Sequence, residues 1–184
     1  MFIFGHLGIG RRLASPWRAR LPALPLMVGM LLPDLIDKPL YYARISPFIS
    51  STRTVGHTAL FLILLWGYAQ VRRSSVAAAL AVGVVTHLLL DGFIETFDPR
   101  GLSASWHALA WPFFSQHFAT LYIQTMSQHL EMMWAWPVAI GELVGVGLIG
   151  WEVWQGRRGS ASKSAIQGAR TSAPARATDN VRPT

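Results

Sequence analysis

Cysteine is absent from this 184-residue chain. Its absence excludes disulfide bonds, thiolate metal sites and cysteine nucleophiles together. Charge is also scarce, because only 14% of the residues are charged, against roughly 25% in an average soluble domain. Hydrophobic residues make up 52% of the chain, and acidic residues number only nine. This length suits one domain with a core, and this composition indicates a lipid environment.

The chain has a net charge of +7, and the positions of its basic residues indicate what kind of signal they provide. Six of the sixteen lie in the last 28 positions. Most of the others form short clusters between apolar stretches, such as residues 11–20 and the pair Arg72 and Arg73. Such clusters are typical of topology signals in membrane proteins. No basic groove interleaved with aromatic residues is visible, so the sequence disfavours a nucleic-acid partner.

Three apolar stretches are long enough to cross a bilayer, whose core takes about 20 helical residues. They are residues 55–71, 76–93 and 132–154. A fourth stretch, residues 21–36, is marginal because three prolines interrupt it and Asp34 ends it. We therefore predict an all-α fold, an integral membrane bundle of about three to five helices. We expect no removable signal peptide, because residues 1–10 lack a basic start.

The composition changes after the third span. Residues 157–184 are rich in Ser, Ala, Arg, Gly and Pro and have almost no large apolar side chain. Such a segment buries too little surface to offset the entropy of ordering it. We therefore predict a membrane-embedded helical domain over residues 1–156 and a disordered basic tail over residues 157–184.

Arginine placement predicts a topology by the positive-inside rule. If the basic tail is cytoplasmic, the loop over residues 95–131 lies outside and the Arg72–Arg73 turn lies inside. The chain is then a multi-pass protein of the cell membrane, with lipid as its immediate partner. Several polar residues fall together at or near the outer face: Asp34, Asp37, His57 and Asp91, with His87 about one helical turn deeper.

His87 and Asp91 are the clearest candidates for chemistry. Ionisable groups inside apolar stretches cost about 2.5–3.5 kcal/mol each on insertion scales, so their presence needs a reason. At i and i+4 on one helix they project from the same face, where both can reach one ion. The alternative is that Asp91 only satisfies the hydrogen-bonding need of His87.

Four further residues are candidates with simpler alternatives. Asp34 and Asp37 follow a proline and can be metal ligands or only a solvated helix end. His57 opens the next span, where a single histidine is usually structural. His6 lies in the apolar N-terminal stretch as a further ligand or an interfacial residue. The predicted convergence of the other candidates on one end of the hairpin favours a shared metal site, and His6 joins it only if the N-terminal stretch returns through the bundle.

Two other residues flank this group. Glu95, one turn beyond Asp91, is a candidate base or supporting partner, and Asp37 is the other candidate for that role. Arg53, four residues before His57, is a candidate for holding an anionic substrate. The alternatives are an exposed helix end for Glu95 and an interface anchor for Arg53.

Nitrogen and carboxylate ligands without a thiolate suit zinc and, less selectively, manganese, iron or nickel. Three to five such ligands leave a coordination position for water. A divalent metal lowers the pKa of that water and polarises a phosphoryl or carbonyl oxygen. The ligand set therefore predicts a hydrolytic site with a divalent metal cofactor, zinc above the others.

The order and spacing of four blocks resemble the YdjM-like membrane-bound metal-dependent hydrolases. The blocks are residues 29–37 (Gly-Met-Leu-Leu-Pro-Asp-Leu-Ile-Asp), 53–58 (Arg-Thr-Val-Gly-His-Thr), 86–92 (Thr-His-Leu-Leu-Leu-Asp-Gly) and 111–113 (Trp-Pro-Phe). The resemblance covers about residues 1–150 and implies a membrane-bound metal-dependent hydrolase. It implies metal ligands at the following positions: His6, Asp34, His57, His87 and Asp91.

That ligand order is in turn similar to zinc-dependent phospholipase C and the fungal single-strand nucleases, helical enzymes that cleave phosphodiesters at a multi-zinc site. Those enzymes add a further His and a His-x-x-x-Glu pair, and here no Glu follows His107, His117 or His129 at that spacing. The resemblance therefore implies one or two ions rather than three. Asp37 stands three residues after Asp34, where many YdjM-like chains place it two after, so its role is open.

Two functional hypotheses follow. The first is a membrane-bound hydrolase that cleaves a phosphodiester or phospholipid with metal-activated water. The second is a non-catalytic membrane scaffold or metal carrier. Gly141 and Gly145 form a small-xxx-small pair suited to helix packing. Glu142 beside them favours an ion pathway if it faces the bundle.

Overall fold

A computed structural model describes residues 3–43, 51–97, 99–114, 118, 127, 131 and 134–171. Within these residues the chain forms six α-helices, one short 3₁₀ helix and no strand. In chain order the elements are α1 (Ile3–Leu13), α2 (Ala23–Tyr42), the 3₁₀ helix (Val55–His57), α3 (Ala59–Val71), α4 (Ser75–Glu95), α5 (Pro99–Ala110) and α6 (Trp136–Thr171). The predicted all-α fold class is confirmed.

In the part of the chain that the structure describes, two helices are long and apolar enough to cross a membrane, α4 and the segment Trp136–Arg158 of α6. They correspond to the second and third predicted spans. The first predicted span is shorter as a helix, because residues 55–57 form the 3₁₀ helix and Thr58 caps α3. α3 exposes large apolar side chains such as Ile63 and Leu64, as a helix in contact with lipid does.

α2 is continuous through its prolines. The sequence predicted that this segment ends at Asp34, and that prediction was wrong because the helix continues to Tyr42. Pro22 and Pro25 stand at the helix start, where an amide has no helical partner to lose. Pro33 stands in the interior and removes one hydrogen bond. It is fully buried against Gly56, and this packing offsets the loss.

α2 and α4 form the most extensive helix pair of the described bundle. Their backbones approach closely at two glycines. A Cβ on Gly83 would lie 2.6 Å from the Gly29 carbonyl carbon and from the Met30 nitrogen, which is too close for any side chain. Small residues allow such contact between membrane helices. The approach places the Met30 backbone within reach of α4 side chains.

A tight turn joins α3 to α4. The Thr58 hydroxyl accepts a hydrogen bond from the Phe61 amide at the start of α3, and the Ser74 hydroxyl accepts one from the Ala77 amide at the start of α4. Arg73 between them adopts a left-handed conformation with φ of 46°. The hairpin brings the start of α3 beside the end of α4, so residues near 57 and 90 share one end of the bundle.

The remaining predictions concern the loop and the tail. The predicted loop over residues 95–131 contains α5, and most of its second half lies outside the described residues. α6 continues to Thr171, whereas disorder was predicted from residue 157. Residues 172–184, the remainder of the predicted tail, lie outside the described residues. The chain divides into two compact units, Met1–Ile149 and Gly150–Thr184.

Candidate metal centre

Polar side chains from four elements meet at one end of the α3–α4 hairpin. α1 supplies His6, α2 supplies Asp34, the 3₁₀ helix supplies His57, and α4 supplies His87 and Asp91. All except Asp34 are buried. These are the five predicted metal ligands, and the structure brings all of them together. Their role as ligands stays a prediction.

The potential ligand atoms lie between 3.1 and 4.0 Å apart in neighbouring pairs. His57 Nε2 and His87 Nε2 are separated by 3.2 Å. Asp91 Oδ2 lies 3.7 Å from each of these nitrogens, and Asp91 Oδ1 lies 3.1 Å from His6 Nε2. Asp34 Oδ1 lies 3.8 Å from His57 Nε2 and 4.0 Å from His87 Nε2. Each of the five donors therefore lies within 4.0 Å of at least one other donor.

The donors form two groups that share His87. One group is His6, His87 and Asp91, and the other is Asp34, His57 and His87. Within each group the ligand atoms lie within 4.8 Å of one another. The His6 and His87 rings stack, with centroids 4.1 Å apart. Because Nε2 of His87 offers one lone pair, His87 can bind an ion in only one of the two groups at a time.

Hydrogen bonds behind the rings decide which histidine nitrogens carry protons. His87 Nδ1 lies 2.8 Å from the Met30 carbonyl oxygen. A carbonyl only accepts, so Nδ1 donates and Nε2 of the neutral ring keeps its lone pair. His57 Nδ1 lies 2.7 Å from Asp37 Oδ2, and an ionised carboxylate also only accepts. In the neutral form of both rings, each Nε2 therefore turns a lone pair toward the other.

This pair of nitrogens fits a cation. Two lone pairs 3.2 Å apart repel each other unless a proton or a metal ion lies between them. Two nitrogen ligands of one tetrahedral zinc ion lie about 3.3 Å apart, because Zn–N bonds are about 2.0–2.1 Å long. Buried imidazole and carboxylate donors without sulfur suit zinc. The donor set and its spacing are therefore compatible with a divalent cation.

Asp37 lies behind His57 and has no solvent exposure. Its oxygens accept four hydrogen bonds, from the Thr54 amide at 2.6 Å, the Thr54 hydroxyl at 2.8 Å, the Gly56 amide at 2.9 Å and His57 Nδ1 at 2.7 Å. These donors occupy the acceptor capacity of the carboxylate. Of the two roles predicted for Asp37, base or supporting partner, this geometry favours supporting partner.

Gly56 makes that arrangement possible. A Cβ at this position would lie 2.8 Å from the Pro33 carbonyl oxygen and 3.2 Å from Asp37 Oδ1. Only glycine lets the segment before α3 lie flat on α2 at this point. This close approach lets both the Gly56 amide and the His57 ring bind the Asp37 carboxylate.

Comparison with known proteins adds a family. The model for the family of YdjM inner membrane proteins matches residues 1–159. The chain belongs to this family. It is therefore a membrane protein, in agreement with the two helices long enough to span a bilayer. No curated protein and no solved structure matches the chain.

Arg53 of this YdjM family member joins two carboxylates of α4. Its Nη2 lies 3.4 Å from Asp91 Oδ2 and also pairs with Glu95 Oε1. Burial opposes the guanidinium charge, but Asp91 and Glu95 outweigh that cost and raise the pKa of Arg53 above its ordinary value. The guanidinium thus stays charged beside the donor cluster. The structure brings the predicted substrate-binding residue and the predicted base candidate Glu95 into direct contact.

Asp34 is the most exposed member of the cluster, with 18% of its side chain accessible. It accepts a hydrogen bond of 2.6 Å from Lys38 Nζ one turn along α2. Asp34 is therefore the exposed edge of the YdjM site, whereas His6 and His87 are fully buried.

Sequence reasoning missed several supporting groups of the YdjM site. Thr54 and Gly56 were visible only as part of a matching block, and the Met30 carbonyl carries no signal in its side chain. Glu142 was visible as a carboxylate in an apolar span, interpreted as favouring an ion pathway. In the structure it accepts hydrogen bonds from the Phe4 and Gly5 amides at the start of α1.

Proposed function

We propose that this YdjM family member is a membrane-bound metal-dependent hydrolase that holds one or two divalent ions, zinc above the others. One observation carries the proposal: the Nε2 atoms of two buried histidines face each other at 3.2 Å. Their Nδ1 protons are engaged by the Met30 carbonyl and by Asp37. Fixing both rings in this tautomer is what a metal site requires of its supporting groups.

The proposed ligands are the five clustered residues, which are already held close together before an ion binds. When bound, a divalent ion supplies Lewis acidity and an activated water at neutral pH. Asp37 holds the His57 ring, and Met30 holds the His87 ring. The rigid α2–α4 pair keeps both rings in place, so the site needs little rearrangement to bind an ion.

We propose a phosphodiester or phospholipid as the substrate. Arg53 supports this choice, because a guanidinium beside metal ligands recognises phosphate oxygens in a bidentate manner. Glu95 orients the Arg53 side chain and is the remaining candidate base, since Asp37 has its acceptors occupied. A lipid headgroup would approach from the side of Asp34, the exposed edge of the cluster.

We propose that the chain is multi-pass, with a cytoplasmic C-terminal end and the site near the outer face. The positive-inside rule supports this orientation, because Arg72 and Arg73 lie on the turn between α3 and α4, opposite the cluster. The site would then meet lipid headgroups of the outer leaflet.

The test uses detergent-purified protein with zinc or manganese and two substrates, a chromogenic phosphodiester and a phospholipid in mixed micelles. We expect turnover that a chelator abolishes, that returns with added metal, and that falls to the background rate in Asp91→Ala. Metal binding without turnover on any phosphodiester or phospholipid would support the metal-carrier alternative. Unchanged metal content in Asp91→Ala would remove Asp91 from the site.

A further inference from the structure

Glu142 of α6 contacts the first turn of α1 with both oxygens. Its Oε2 accepts a hydrogen bond of 3.0 Å from the Phe4 amide, and its Oε1 accepts one of 2.9 Å from the Gly5 amide. The first amides of any helix have no partner within the helix. A carboxylate there satisfies two of them and also interacts favourably with the positive end of the helix dipole.

The same two helices touch at a pair of glycines. A Cβ on Gly8 would meet the backbone of Gly145, and a Cβ on Gly145 would meet the Phe4 carbonyl oxygen and lie 2.7 Å from the Gly5 nitrogen. The glycine crossing and the carboxylate lie one turn apart on α6, since Gly145 follows Glu142 by three residues. Together they fix where α1 lies and how it is rotated.

α1 supplies one candidate ligand, His6. The two amides that Glu142 binds belong to Phe4 and Gly5, two residues and one residue before His6. The side chain is fully buried, and its Nε2 lies 3.1 Å from Asp91 Oδ1. Any slip or rotation of this 11-residue helix would move His6 away from Asp91.

We infer that Glu142 is a positioning residue of the metal centre, which holds His6 against Asp91 by anchoring the start of α1. This inference rests on the metal site of the proposed function. It replaces the interpretation of Glu142 as part of an ion pathway, because both carboxylate oxygens accept hydrogen bonds from backbone amides of α1.

The test compares Glu142→Gln with His6→Ala and with the matched control Glu131→Gln, at an exposed position. Glutamine keeps the shape of Glu142 but offers one acceptor oxygen, and its amide group would face a second amide N–H. Metal affinity is measured by competition with a chelator, the ligand environment by the absorption spectrum of the cobalt(II)-substituted protein, and α1 docking by hydrogen exchange of residues 3–13 in metal-free protein.

We expect Glu142→Gln to weaken metal binding roughly 10- to 100-fold, the range for partners that orient a ligand. Its cobalt spectrum should match that of His6→Ala rather than that of wild type, and its α1 amides should exchange faster. Glu131→Gln should match wild type in all three measurements. A generally destabilised protein would lose metal without converging on the His6→Ala spectrum, so the spectrum separates positioning from unfolding.

Gly8→Ala tests the same inference without changing the carboxylate. Its Cβ would meet the Gly145 backbone, so we expect the same spectrum and the same faster exchange. Wild-type affinity and spectrum in Glu142→Gln would overturn the inference and leave the proposed function intact. Absence of metal from the wild type under all loading conditions would overturn both.

Discussion

Asp37 and His57 form the pair that does most to orient the candidate metal centre. Asp37 is fully buried beside His57 and accepts hydrogen bonds from two backbone amides, one hydroxyl and one imidazole. The carboxylate therefore determines both the tautomer and the direction of the His57 ring. This is the kind of partner that raises the basicity of a histidine ligand.

The variant Asp37→Asn separates support from catalysis. An asparagine side chain has one carbonyl acceptor and would point its amide group at one of the present donors. We expect metal affinity to fall roughly 10- to 100-fold, measured by chelator competition, with activity recovering at saturating metal. If metal affinity stays at the wild-type value and activity alone is lost, Asp37 acts as a base and the assignment here is wrong.

At the scale of elements, the α2–α4 pair is the frame on which the site depends. Gly29 and Gly83 bring the two backbones together, and this approach lets the Met30 carbonyl accept the His87 Nδ1 proton. The orientation of the His87 ring thus depends on how closely α2 and α4 pack. A change that separates α2 from α4 should loosen the protein and weaken its metal binding together.

Gly83→Ala tests this coupling. Its Cβ would lie 2.5 Å from the Leu26 carbonyl oxygen, and overpacking of this kind costs about 1–3 kcal/mol. For a chain of this size that corresponds to a loss of roughly 2–12 °C in Tm. Gly67→Ala on α3 is the matched control, because nothing lies within 4 Å of a Cβ there. The control should gain about 0.5–1 kcal/mol; equal Tm values for the two variants would contradict the packing described.

The cluster of candidate ligands could be predicted from the sequence, and Asp37 could be predicted as one possible support, whereas the supports from the backbone could not. His87 and Asp91 are visible because ionisable residues in an apolar helix are costly and because their spacing places them on one face. The partners Met30 and Gly56 depend on how closely two backbones approach, which no local pattern encodes. The continuity of α2 through Pro33 has the same origin, since tertiary packing there overrides a local helix breaker.

At the scale of the whole molecule, the absence of cysteine allows a clean test of the proposed orientation. The variant Phe113→Cys, at a position that is 70% exposed just after α5, should react with a membrane-impermeant maleimide in intact cells. The variant Arg72→Cys, at an exposed position on the α3–α4 turn, should react only after the cells are permeabilised. The opposite labelling pattern would place the site on the cytoplasmic side and remove outer-leaflet lipid as the substrate.

The metal content of the purified protein tests the central claim most directly. Elemental mass spectrometry should find one or two divalent ions per chain in the wild type, and about the same amount in His107→Ala, where the histidine is exposed on α5. His87→Ala should lose most of the metal, because His87 belongs to both candidate ligand groups. Equal metal in His87→Ala and the wild type, or none in either, would contradict a metal centre built on these histidines.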